Sequence, residues 1–170
     1  YGAKTKGLGF ANVKTFTIER WAAPGWAAVL KSMDDADREE MEAIVPVGWY
    51  SLALYARLIR TLDRVHGRGD AHLVEELGKF EAERDLKTVH RFFLRFANPV
   101  FAIEQMGKYW RRFHDTGYWN VQRIEKAYAT GTLCQWFHVD DFLCRELVAY
   151  MRRAMELAGA SQVVLAHPRC

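Results

Sequence analysis

The chain has 170 residues, half of them hydrophobic, with six Trp, seven Tyr and ten Phe and a net charge of +3. That length holds one domain with a sizeable core rather than two, and the aromatic content excludes a disordered chain. The longest apolar runs fall far short of the roughly 18 residues that span a bilayer, and the small basic excess does not by itself signal nucleic acid or an anionic membrane.

Residues 1–170 are therefore expected to form a single soluble domain, cytoplasmic by default, with no membrane span. Because Tyr1 rather than Met opens YGAKTKG, the natural chain is expected to be longer, the domain being truncated at both ends relative to it. VKTFTIERW predicts a short helix ending near Ala23-Pro24-Gly25. Pro24 suits the first turn of a second short helix carrying Trp26, Val29, Leu30 and Met33 on one side. DADREEMEAI, capped by Asp34 and Asp35, has few apolar residues and predicts a poor core element. From the N-cap Ser51, Leu54, Tyr55, Leu58, Ile59, Leu62 and Val65 form a helical stripe that GRGD ends.

Asp70 caps the next predicted helix, with Leu73, Val74, Leu77 and Phe80 inward and Gly78 placed for close packing. Leu86, Val89, Phe93 and Phe96 extend the stripe to Asn98. Pro99 stops that helix, since a residue before proline avoids the helical region, and opens another along Val100, Ile103, Gly107, Trp110 and Phe113 or His114. After the turn Asp115-Thr116-Gly117 the period becomes alternating. Tyr118–Tyr128 and Leu133–Val139 predict a β-hairpin with Gly131 at its tip. Asp140 caps a last helix, ended by Gly159, and Gln162–Leu165 suits a further strand. The predicted class is α+β: a helical N-terminal two-thirds packed on a small antiparallel sheet, with a β-β-α-β C-terminal part.

Five stretches of this order carry a resemblance: GWAAVL, VGWYSLALYARLI, ELGKFEAERDLKTVHRFFLRFANP, YWRRFHDTGYWNV and ELAGASQVVLAHPRC. Through them the chain resembles the 4-vinyl-reductase-type domain and its relatives, the haem-nitric-oxide-binding domains and the small subunits of the TRAPP vesicle-tethering complex. More narrowly, it resembles an uncharacterised myxobacterial paralogue family. The shared residues are packing and turn residues rather than catalytic ones. The resemblance implies helices on an antiparallel sheet, an apolar pocket that senses a small hydrophobic ligand, frequent dimerisation and no catalysis. The sequence departs from it twice. Relatives continue beyond the cysteine equivalent to Cys170 into a glycine-and-cysteine hairpin that helps bind zinc in phenol-sensing members, whereas this sequence ends at Cys170. The Tyr-x-Ser-x-Arg signature that grips haem propionates is absent.

The stretch HRFFLRFANPVFAIEQMGKYWRRFHDTGYW, His90 to Trp119, alternates aromatics with arginines, as a single-strand nucleic-acid surface would. At helical spacing, however, Phe93, Phe96, Val100, Ile103, Trp110 and Phe113 share one side, while Arg91, Arg95, Lys108, Arg111 and Arg112 fall mainly on others. The expectation is core plus a solvated face, with no nucleic-acid partner.

Cys134, Cys144 and Cys170 lack a CxxC pair, so reduced thiols are expected. Cys134, His138, Cys144, His167 and Cys170, with Asp140 and Asp141, are the weak metal candidates, and zinc needs three or four of them to converge. His90 and His114, beside apolar helix faces, are the haem-ligand candidates. No cofactor is expected, zinc and haem being the groups that would revise that. There is no Ser-His-Asp order, P-loop, dinucleotide fingerprint or HExxH, and Glu81 and Glu83 point in different directions on one helix. An enzyme is therefore not expected.

The function expected is a non-catalytic sensory or regulatory domain that binds a small hydrophobic ligand. Its pocket would be lined from Trp49, Tyr50, Tyr55, Phe93, Phe96, Trp110 and Trp136, and would measure about 300 Å³ or more. The alternative, of a different class, is a dimeric protein-interaction or scaffold module of the same fold, with a homodimer or partner protein covering exposed aromatics.

Overall fold

The structure of the chain, a computed structural model, describes residues 2–88, 99–125, 128–138 and 140–167, without the side chains of 87, 88, 99–104, 106 and 123–125. The expected α+β class is found: among the described residues, six helices accompany two small two-stranded antiparallel sheets.

The first strand, β1 (Lys4–Lys6), leads into α1 (Gly7–Lys31). The predicted break in α1 is present: Ala22, with φ 57° and ψ −171°, interrupts the helical path, and Pro24 sits in the turn that restarts it. The first half buries Phe10, Val13 and Phe16, and the second buries Val29. The acidic α2 (Asp35–Glu42) buries none of its residues. Strand β2 (Trp49–Ser51) pairs antiparallel with β1, setting Thr5 opposite Tyr50. On its other edge β1 meets the end of α5 through a Thr5–His114 bridge, an Asp115 N–H donating to the Lys4 carbonyl (3.1 Å), and the Lys4 N–H donating to Asp115 Oδ1 (2.6 Å). Three-residue strands have no alternation to read. The sequence accordingly predicted neither, and both depend on partners distant in the chain.

Helix α3 (Leu52–His66) starts at Ser51, whose side chain accepts from the Leu54 N–H at 3.3 Å, and it buries Leu54, Tyr55, Leu58, Ile59 and Leu62 as predicted. Helix α4 (His72–Thr88) starts where the Asp70 carboxylate accepts from the His72 N–H at 3.0 Å. Helix α5 (Pro99–Phe113) opens on Pro99. Helix α6 (Asp141–Leu157) is capped by Asp140, which accepts from Phe142 and Leu143 at 2.8 and 3.3 Å and also pairs with Arg60 of α3 at 2.7 Å. Helices α4 and α6 pack along each other, and α1 and α3 complete the core around Phe10, Phe16, Leu58, Ile59, Leu62 and Leu77. A Cβ on Gly78 of α4 would collide with the Glu146 carbonyl of α6, so the predicted close approach is real.

Two predictions about strands are corrected. The hairpin exists, as β3 (Tyr118–Glu125) and β4 (Tyr128–Cys134), but Gly131 lies inside β4 opposite Val121 and not at the tip. The reason is the Trp119 ring, which lies where a Cβ on Gly131 would come within 3.3 Å of it. The glycine serves a diagonal cross-strand contact rather than a turn. The predicted strand over Gln162–Leu165 does not form; Val164 is 92% exposed and no described strand pairs with this run. β-Branched residues favour a strand only when an edge is there to receive them.

Candidate functional site

α4 and α6 each carry polar side chains one turn apart on the face they turn toward each other. On α4, positions 77, 81 and 85 continue one stripe, but after Leu77 the residues are Glu81 and Asp85. On α6, Glu146 and Tyr150 have the same spacing. The close contact at Gly78 brings the two faces together. Tyr55 approaches from α3 and Asn12 from α1. Together they line a cavity of about 210 Å³ whose further walls include Trp110 and His114 of α5, Trp119 of β3 and Trp136 after β4.

The acidic wall is a hydrogen-bonded cluster. The Tyr55 hydroxyl contacts Glu146 and, at 3.2 Å, Glu81. A phenol has one proton to donate, so when it donates to one carboxylate the other contact needs a carboxyl proton donated to the phenol oxygen. Asn12 Nδ2 donates to Asp85 Oδ1 at 3.1 Å and the Tyr150 hydroxyl donates to Asp85 Oδ2 at 3.5 Å. Glu81, Asp85 and Glu146 are each at most 8% exposed. Burial disfavours their charged forms. It raises Glu146 to about 7 and Asp85 above the usual carboxylate range, and burial, with the neighbouring Glu146 charge adding to it, holds Glu81 well above that range. The Tyr55 and Tyr150 hydroxyls, raised first by burial and then by these carboxylates, stay neutral.

The aromatic wall is built on Trp110. Its indole N–H donates to the Thr116 carbonyl at 2.9 Å, its ring stacks on His114 at 4.0 Å, and Trp136 and Trp119 stand edge-on to it at 5.4 and 5.9 Å. Gly117, at φ +83°, makes the turn beneath, where a side chain would crowd both Trp110 and Trp136. Burial lowers His114 to about 4, so the imidazole is neutral. Its Nδ1 and the Trp136 indole nitrogen are buried without a partner among the described residues.

Of the predicted pocket residues, Tyr55, Trp110 and Trp136 line this cavity. Trp49 and Tyr50 do not. Trp49 is 39% exposed with the Lys6 ammonium over its ring, and Tyr50 is turned to the 43–45 loop, where its hydroxyl donates to the Ala43 carbonyl and accepts from the Val45 N–H. As neighbours on β2 they point to opposite faces, Tyr50 edge-on to Phe10 and Trp49 outward. Phe93, Phe96 and His90 lie outside the described residues.

Lys108, Arg111 and Arg112 are exposed while Trp110 is buried, the sorting expected of core plus solvated face. Among the metal candidates, Cys134 is a free thiol, Cys144 is disulfide-bonded, His138 is half-buried, His167 is exposed and Cys170 lies outside the described residues. The expectation of reduced thiols is thus corrected at Cys144. Among the described residues no three His, Cys, Asp or Glu side chains converge as a metal site.

Glu81, Asp85 and Glu146 were missed as site residues. The legible sign was the acidic continuation of the Leu77 stripe; what could not be read was that Glu146, distant in the chain, would face it. Compared with family models, curated proteins and solved structures, the chain matches none.

Proposed function

We propose that the chain is a small-molecule-binding sensory or regulatory domain that performs no catalysis itself, in keeping with its resemblance to the 4-vinyl-reductase-type superfamily. The carrying observation is the cavity, which joins an aromatic wall to a buried ionisable one. Buried carboxyls are costly to a core that serves packing alone. At about 210 Å³ the cavity falls short of the expected volume of about 300 Å³ or more, a correction that rules out a drug-sized ligand. It exceeds the roughly 150 Å³ that accommodates benzene, so the occupant is a single ring with short substituents.

Isothermal titration with single-ring compounds tests this reading, with Ala154→Phe as the variant that fills the cavity. Millimolar or tighter binding, abolished in the filled variant, is expected. Failure of every such compound to bind the native chain would sink it.

A second reading, the dimeric interaction or scaffold module, draws on Val45, Val47 and Trp49, which are exposed close together in the chain at 52%, 80% and 39%. Light scattering distinguishes it, since a dimer that Val47→Glu dissociates would favour it. Among the described residues no helix is long and apolar enough to cross a membrane. A cytoplasmic location is part of the proposal, and the Cys144 disulfide weighs against it.

A further inference from the structure

The donors and acceptors lining the cavity do not balance. Three carboxyl groups offer six oxygens, and besides a hydrogen bond shared between Glu81 and Glu146 the donors that reach them are Tyr55, Asn12 and Tyr150. Among the described residues, none of Glu81, Asp85 and Glu146 forms an ion pair. Arg84 acts favourably on Asp85 but is exposed, and Lys6, which also lines the cavity, has its ammonium bonded to the Val47 carbonyl at 2.8 Å and set over Trp49. His114 is neutral. Once ionised, the three carboxylates leave the cavity with a surplus of acceptors, while the indole faces of its other wall favour a cation over an anion. An alkylammonium supplies three donors and one positive charge. Independently of the acids, Trp136 is 8% exposed, lines the cavity, and has an indole N–H without a partner among the described residues. It calls for an acceptor on the ligand.

Resting on the ligand-binding reading above, we infer that the cavity takes a small aromatic amine, its ammonium among Glu81, Asp85 and Glu146 and its ring against Trp110, Trp119 and Trp136. A ring oxygen would satisfy the Trp136 indole. An ammonium stabilises the ionised carboxylates, so binding below neutral pH expels protons from the acidic wall. The groups acting on Glu146 are Tyr55 from α3, Glu81 from α4 and Asp140 at the cap of α6, while Asp85 acts on Glu81 and is bonded by Tyr150. Tyr55 and Tyr150 remain neutral, so the protons released come from the carboxyls.

The test is titration of the native chain with tyramine and with 4-ethylphenol, which keeps the ring and its oxygen but lacks the ammonium. Tyramine should bind at least about tenfold more tightly. At pH 6 its binding should release protons, read from the dependence of the heat on buffer ionisation. Glu146→Gln, which keeps the side chain's shape and a partner for Tyr55, should erase most of the preference, read as the ratio of the two affinities within the variant. Equal or tighter binding of 4-ethylphenol to the native chain would overturn the inference and leave the ligand-binding reading intact. Binding of neither compound would overturn both.

Discussion

The backbone carbonyl of Glu146 occupies the space that a side chain on Gly78 would need, and the Tyr150 N–H lies 3.1 Å from that same point. Helices α4 and α6 therefore meet backbone to backbone, and the acidic wall of the cavity exists because they do. Gly78→Ala should force them apart. Helix propensity favours alanine by about 1 kcal/mol, but overpacking of this kind costs about 1–3 kcal/mol and here strikes backbone that cannot rotate away. Net destabilisation is expected in urea unfolding, together with a loss of tyramine binding. A stabilised variant would show that the helices do not touch here.

Glu146 and His114 give stability opposite dependences on pH. The Glu146 carboxyl, raised from 4.5 to about 7, holds a proton that the unfolded chain has released. Its contribution is complete below about 4.5, declines as pH rises and is gone above about 7. His114, lowered from 6.5 to about 4, contributes fully above about 6.5 and loses that contribution as pH falls. At about 1.4 kcal/mol per pH unit the histidine contributes roughly 3 kcal/mol, and between 4.5 and 6.5 the two groups oppose each other. Single variants should unmask them. His114→Phe should make stability fall more steeply with pH from 4.5 to 7, and Glu146→Gln should make it fall less steeply, since Glu81 and Asp85 stay raised in both. Urea midpoints measured from pH 4 to 8 decide, and identical profiles in both variants would refute the assignment.

Tyr55→Phe removes the hydroxyl that joins Glu81 to Glu146 and leaves buried carboxyl oxygens unpaired. A loss of about 1–3 kcal/mol is expected at pH 8, where Glu146 ionises. The loss should be smaller at pH 5, where a shared carboxyl proton keeps the direct Glu81–Glu146 hydrogen bond. A pH-independent loss would mean that the phenol ring, in edge contact with Phe10 at 5.1 Å, matters more than its hydroxyl.

Cys144 should resist alkylation in denaturant until a reductant is added, whereas Cys134 should react at once. Peptide mapping of protein trapped with alkylating agent at lysis reads both. Immediate labelling of Cys144 would restore the expectation of reduced thiols.

Capping and periodicity made the helices legible. Ser51, Asp70 and Asp140 start α3, α4 and α6 as their side-chain chemistry predicts, and the break in α1 was signalled by Pro24. The strands were less legible because their register depends on partners elsewhere. Glycine signals a turn in sequence, but Gly131 serves the ring of Trp119 across the hairpin, and β1 and β2 are too short to carry a pattern. The aromatic wall was partly foreseen, since Trp110 follows a helical stripe. The acidic wall was not, because a glutamate in an amphipathic helix ordinarily faces water, and only the meeting of α4 with α6 encloses Glu81 and Glu146 together.

Strand β1 bears on how a ligand would reach the cavity. Thr5 and Lys6 belong to the cavity wall, yet they are held by a three-residue pairing with β2 and by bonds to Phe113, His114 and Asp115, more than one hundred positions away in the chain. Closing so long a loop costs entropy that few bonds must offset, and such segments detach in local openings well below the free energy of global unfolding. The amides of β1 should exchange with solvent sooner than those of the α3 core. A bound molecule that touches this wall would slow that exchange, so occupancy of the interior would be registered at the surface as a strand that lets go less often.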